Sequence, residues 1–303
     1  MEAGQQTARG RRWGAGAGRP SVALVIPVAV PLAKCFRARH WKTAGFEGKV
    51  VGRMSGVRCV VDGGIARITL ARPEASNSVD MAAARAFGEA VDQAGDPAVR
   101  VVLLTGEGKR FCAGGDVASM MAAEDRSGYL NELAATLGDG LLRLTELAKP
   151  VVAAVHGAVA GAGLAFVLTA DLVVAARSTK FLMAYAGVGL TPDCGVSYLL
   201  PRAVGQQRAL EMALMNRPLT AEEAREWGLV TEVVDDEAAV SRAEEVAAQL
   251  AAGPAFALGQ AKRLLRSSWT VSPQQSVTDE AETISRAIGT DDAARLIDAF
   301  LKR

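Results

Sequence analysis

The feature that most constrains this chain is a set of short apolar runs, above all 99–105 and 151–155, each leading into a turn of small residues. Runs of five to seven residues that do not alternate read as strands covered on both faces. A chain with several of them needs helices for both sides of the sheet. Residues 79–94 supply helical spacing, with Val79, Ala83, Phe87, Ala90 and Val91 on one side. A second helical stretch over 129–147 ends before Pro150, and 161–170 reads as a third. Residues 172–176 and 181–184 read as further strands. This β-α-β alternation predicts an α/β protein with a largely parallel sheet. Half of the residues are apolar and only 5% aromatic, so Ala, Val and Leu must build the core.

The ends of this region read differently. Asp62-Gly63-Gly64 between 57–61 and 65–70 predicts a hairpin. From Gly205 onward the pattern is helical. Thr220 and Glu223 form a capping-box pattern, and helices are expected over 237–252, 254–268, 273–288 and from Asp291. Residues 1–53 carry ten Lys/Arg against two Glu, while the other 250 carry 24 basic and 31 acidic groups. The mildly acidic body offers no nucleic-acid surface. The apolar run 22–33 with basic flanks has the outline of a signal peptide, yet Pro27 and Pro31 interrupt it and no A-x-A site follows. It is too short to span a membrane. The favoured reading is a basic leader outside the fold, a translated upstream segment before a chain proper starting at Met54; a targeting segment is the alternative. Four cysteines without regular spacing fit reduced thiols in a cytoplasm. Two histidines, one of them in the body, leave little room for a His-rich metal site or a Ser-His-Asp triad.

The chemistry lies in the two turns. Phe111-Cys112-Ala113-Gly114-Gly115-Asp116 follows the first strand, and His156-Gly157-Ala158-Val159-Ala160-Gly161-Ala162-Gly163 follows the second and opens a helix. Small residues let a ligand approach the backbone, and amides at a helix start point at it with the positive end of the dipole. Two such turns side by side would aim two N–H donors at one oxygen, as a thioester enolate requires. Taken singly, either turn could equally be a tight packing contact. Their order, spacing and surroundings tip the balance.

Residues 111–117 match the FxAGxD pattern of the crotonase (enoyl-CoA hydratase/isomerase) superfamily, and 150–171 resembles its second oxyanion segment. The similarity runs from about Met54 to the C-terminus. It implies a crotonase (ClpP-like) ββα spiral with a C-terminal helical region, the spiral over 54–252 and an oligomerisation region over 253–303. By the same likeness the substrate is an acyl-CoA thioester, coenzyme A being part of it and no separate cofactor needed. The resemblance makes the amides of Gly115 and Ala162 the oxyanion donors. It places the Ala113 carbonyl, Ala75 and Ser76 at the adenine of CoA, and Lys109 near its phosphates. A homotrimer or dimer of trimers is implied, with no membrane or nucleic-acid partner. Asp116 is expected to order its own turn by side-chain hydrogen bonds.

Departures from the family pattern sharpen the reading. The two hydratase glutamates fall on Ala165 and Tyr185, neither a carboxylate, so paired-Glu water addition loses both groups. Gly189-Leu190-Thr191-Pro192-Asp193-Cys194-Gly195 is instead similar to the GLxPD/E-G segment of the superfamily's isomerases. Asp193 is thus expected to shuttle a proton, although Asp after Pro and before a helix is also a common N-cap. Tyr185, Phe166, Met183 and Met120 are candidates for the acyl pocket or plain core. The expected activity is double-bond isomerisation of an acyl-CoA, in phenylacetate or fatty-acid degradation. The rivals are a hydratase with unusual acid/base groups and a degenerate acyl-CoA-binding protein.

Overall fold

The computed structural model describes residues 49–302. Residues 1–48 of the leader expected over 1–53, and with them the targeting question, lie outside the described residues. Strand β1 (Lys49–Met54) runs antiparallel to β2 (Val57–Asp62) and straddles the boundary drawn after residue 53. β2 turns back through Gly63 and Gly64, with φ of 58° and 77°, into β3 (Ile65–Leu70). Two successive positive φ values are what a two-residue hairpin turn demands.

Then come α1 (Met81–Ala94), β4 (Val101–Gly106), α2 (Val117–Ala122), α3 (Arg126–Glu146) and β5 (Val151–Val155). β6 (Ala158–Ala160) and α4 (Ala162–Thr169) follow at once, and β7 (Leu172–Ala176) leads to β8 (Lys180–Leu182). α5 (Val196–Val204), α6 (Gln206–Met215), β9 (Leu219–Thr220), α7 (Ala221–Glu226) and β10 (Glu232–Val234) complete the sheets. The chain ends in α8 (Ala239–Ala251), α9 (Ala255–Ser267), α10 (Pro273–Ala287) and α11 (Asp291–Leu301).

The main sheet has the order β1-β2-β3-β4-β5-β7-β10 and is parallel from β3 onward. Alternate side chains of the same strand serve two cores. Val102, Leu104, Ala153 and Val155 face the larger core with Phe87, Leu141 and Phe166, whereas Val101, Leu103, Val152 and Ala154 meet Ala243 and Ala247 of α8. Cover on both faces is why these strands do not alternate polar and apolar residues. A second sheet, β6-β8-β9, stands apart. The chain therefore leaves the main sheet after β5, adds β6 to the second sheet and enters α4, which is one ββα turn. Thr220 caps α7 reciprocally with Glu223, as the pattern predicts.

Helix α9 is tied to the core through one carboxylate. Asp171 accepts from the Val151 amide at 2.8 Å and pairs with Lys262 at 3.1 Å and Arg266 at 2.8 Å. Lys262 is only 8% exposed and also donates to the carbonyls of Leu144 and Lys149. Burial pulls its ammonium down in pKa, against the pull of Asp171. Among the described residues, no helix is long and apolar enough to cross a membrane, and no group of three or more His, Cys, Asp or Glu is placed to hold a metal.

Candidate active site

The two glycine turns are hydrogen-bonded to each other. The Cys112 amide donates to the Ala158 carbonyl (3.2 Å) and the Ala160 amide to the Cys112 carbonyl (3.0 Å), which bridges Cys112 and Val159 in parallel. Gly115 lies three residues past Cys112 and Ala162 three past Val159, so parallel register carries both to one place. Gly114 and Gly161 permit the close approach: their φ values are 112° and 51°, and a Cβ on Gly161 would lie 3.5 Å from the Gly114 Cα.

Each amide is turned outward for a local reason. Val79 bridges Gly115 by donating to the Gly114 carbonyl (2.8 Å) and accepting from the Asp116 amide (2.9 Å). In a parallel bridge the middle residue's own N–H points the other way, so Gly115 offers its proton to the cavity it lines. Ala162 is the first residue of α4, where an amide has no partner within the helix. Among the described residues neither N–H meets a protein acceptor.

Behind the first turn stands a clamp with no sequence motif to announce it. Arg72 contacts Asp80 and Asp116 at 3.0 Å each and donates to the Ser78 carbonyl at 2.6 Å. Asp116 also accepts from the Ser119 amide and caps α2, so it orders its turn as expected. Burial opposes ionisation of Asp116, but the Ser119 amide and Arg72 outweigh it and hold the carboxyl below its usual range. Asn77, 2% exposed and at φ 55°, donates to the carbonyls of Glu107 and Arg110 and accepts from the Arg72 amide. Asn tolerates this left-handed backbone better than most residues.

Gly115 and Ala162 open on one cavity of about 370 Å³ whose wall also holds Ala113, Met120, Tyr185 and Asp193 and is otherwise mostly aliphatic. The structure thus brings together four of the seven predicted site residues: Ala113, Gly115, Ala162 and Asp193. Ser76 and Lys109 line a separate cleft with Pro73, Gly108 and Arg110, and Ala75 ends the short 3₁₀ turn Pro73–Ala75 beside it. The Ala113 amide donates to the Ser76 carbonyl at 3.1 Å and so links the two places. Arg110, which the sequence reading missed, donates to the Ser76 hydroxyl.

Asp193 is not an N-cap. Gly195, at φ 80°, holds the cap position of α5 and no side chain bonds there. The Asp193 Oδ1 instead accepts from the Tyr185 hydroxyl at 2.7 Å. Burial first, and the Asp193 charge next, raise the Tyr185 phenol above its usual range, so it remains a protonated donor. Burial likewise keeps the Cys194 thiol neutral. Of the other pocket candidates, Met120 lines the cavity, while Phe166 and Met183 are core.

A ββα turn bridged to a second glycine turn around a cleft, with helices at the C-terminal end, defines a crotonase-fold protein. The sequence profile of enoyl-CoA hydratase/isomerase matches residues 61–303, and the chain belongs to that family. It is 38% identical over 248 residues to the 1,2-epoxyphenylacetyl-CoA isomerase of Escherichia coli, covering 80% of this chain and 94% of that one. Among solved structures, an enoyl-CoA hydratase from Mycobacterium smegmatis is similar with a TM-score of 0.77 and 31% identity, covering 82% of this chain and 96% of that one. An enoyl-CoA hydratase/isomerase from Cupriavidus metallidurans is similar at 0.77 and 34%, covering 83% and 95%.

Proposed function

We propose that the chain is an acyl-CoA isomerase that moves a double bond from the 3- to the 2-position, or rearranges a ring-derived acyl-CoA, through a thioester enolate. The observation that carries this reading is that, among the described residues, the cavity holding the Gly115 and Ala162 amides has a single carboxylate on its wall, Asp193. The two N–H groups would bind the thioester oxygen and stabilise the enolate as charge develops there. Asp193 would take the proton from C2 and return it at C4, leaving no net change in protons or water. Isomerisation therefore needs one base where paired hydration needs two carboxylates.

The residues at the hydratase positions support this. Ala165 is fully buried inside α4, and Tyr185 brings a phenol in place of a carboxylate. The cleft of Ser76 and Lys109, with Arg110 added, offers cations and small groups suited to the CoA phosphates and adenine, together with Ala75 and the Ala113 carbonyl. No separate cofactor is called for. The relative named an epoxyphenylacetyl-CoA isomerase favours this reading, and the structures named as hydratases favour water activation by Asp193 as the rival. A homotrimer or dimer of trimers would cover the exposed Ile284 of α10, Ile288 at its C-terminal cap, and Phe300 and Leu301 of α11. The free thiols Cys59, Cys112 and Cys194 suit a cytoplasmic setting.

The test is to incubate the full chain separately with a 3-enoyl-CoA and a 2-enoyl-CoA. Conversion of the first to the conjugated thioester is expected. Hydration of the second as the faster reaction would favour the rival, and binding without turnover of either would overturn both.

A further inference from the structure

We propose that Tyr185 is a positioning residue whose hydroxyl engages one oxygen of Asp193, leaving the other oxygen as the sole proton carrier between C2 and C4. The inference rests on the isomerase reading above and adds to it. Three observations carry it. The phenol is buried at 9% exposure, lines the same cavity as the Gly115 and Ala162 amides, and meets Asp193 Oδ1 at 2.7 Å. Its backbone is fixed to the loop that carries Asp193, because the Tyr185 carbonyl accepts from the amides of Val188 (3.1 Å) and Leu190 (3.0 Å). The preceding Ala184 is held at φ 65° with its amide donating to the Asn216 side chain at 3.1 Å. A non-glycine residue in that conformation stores strain that its surroundings must sustain.

The other titratable group facing Asp193 within the cavity is Cys194. Its Sγ donates weakly to the Ala134 carbonyl at 3.8 Å, and burial first, then the charge of Asp193 and a side-chain contact with it, keep the thiol protonated. The phenol is thus the strong donor. In the step, the C2–H bond breaks and its electron pair enters the enolate. The proton forms an O–H bond on the free oxygen of Asp193. That O–H then breaks as C4 takes the proton, which restores the carboxylate. The phenol keeps its own proton throughout and orients the carboxylate. A carboxylate pinned at one oxygen keeps its protonated oxygen facing the substrate, so less of the proton is lost to water between the two half-steps.

Tyr185→Phe tests this in the full chain. We expect kcat to fall about tenfold with KM within about threefold, since the base is misplaced and substrate binding is not. Transfer of deuterium from C2 to C4 of a 2-deuterated 3-enoyl-CoA should fall at least about twofold. Should Tyr185→Phe fail to fold, replacing all three tyrosines by 3-fluorotyrosine keeps the shape and strengthens the donor, and the label transfer should be retained or raised. Unchanged kcat and label transfer in Tyr185→Phe, or reduced label transfer in the fluorinated protein, would overturn the inference. Asp193→Asn separates the two failures: if it is inactive while Tyr185→Phe behaves as wild type, the isomerase reading stands and the role of Tyr185 falls. An active Asp193→Asn removes both.

Discussion

Gly163→Ala probes the contact that holds the two turns together. Gly163 sits in the first turn of α4, and an added Cβ would meet the Cys112 carbonyl oxygen well inside van der Waals distance, with the Cys112 Cβ at 3.1 Å. The same carbonyl accepts from Ala160 in the bridge between the turns, so it has no free direction in which to retreat. Relief needs a shift of about half an ångström at backbone that cannot rotate away. Overpacking of this kind costs about 1–3 kcal/mol, offset by up to about 1 kcal/mol from better helix propensity. The net loss should be about 1 kcal/mol, or a Tm lower by about 3 °C for a domain of this size. Activity should suffer more than stability. Cys112 lies three residues from Gly115, and because a 1 Å misplacement can cost about a hundredfold, half of that should lower kcat/KM about tenfold. Thermal denaturation and steady-state turnover of whichever enoyl-CoA the wild type converts read both quantities. Gly138→Ala in α3 is the control, since its Cβ would meet nothing closer than the Cys194 Cα at 3.8 Å, and it should be neutral or slightly stabilising. A Gly163→Ala protein with wild-type kcat/KM and unchanged Tm would refute the claim that this contact sets the geometry of the two amides.

Other perturbations follow from the same structure. Asp171→Ala leaves Lys262 buried without its carboxylate and should destabilise the fold by about 3 kcal/mol, read by chemical denaturation, with α9 the first element to lose hydrogen-exchange protection. Thr220→Ala removes the cap of α7 and should cost about 1 kcal/mol. The Thr220 amide, then Arg217, hold Glu223 down at about 2 against an ordinary 4.5. Because the folded value lies below the unfolded one, the contribution is complete above pH 4.5 and fades as pH falls towards 2. Glu223→Gln should flatten the stability curve over that window, to an extent reduced by solvent screening at this exposed site.

The frame of the molecule was legible because it is written locally. Strands β5 and β7 fall where the apolar runs place them, the Gly63-Gly64 turn is where the hairpin signal puts it, and the Thr220–Glu223 box is read directly. The short strands β6, β9 and β10 span only two or three residues, too few to show any period, and they owe their existence to partners far along the chain. The same distinction divides the site. Gly115 and Ala162 sit in turns whose small residues announce close backbone approach. The Arg72 clamp joins residues 44 apart, and Arg110 joins Ser76 over 34, with no spacing rule to connect them. The reading of Asp193 as a helix cap failed because Gly195 takes that position, and the carboxylate is held by Tyr185, a residue that looks like core by composition. Only packing decides such a case.

The central claim is that Asp193 is the single acid/base group of a cavity built around two backbone amides, and Asp193→Asn tests it most directly. The isosteric amide keeps the shape and accepts no proton. With a 3-enoyl-CoA and the rise of the conjugated thioester as signal, the account predicts a rate at least about a hundredfold below wild type with little change in KM. A variant that isomerises at the wild-type rate would contradict it.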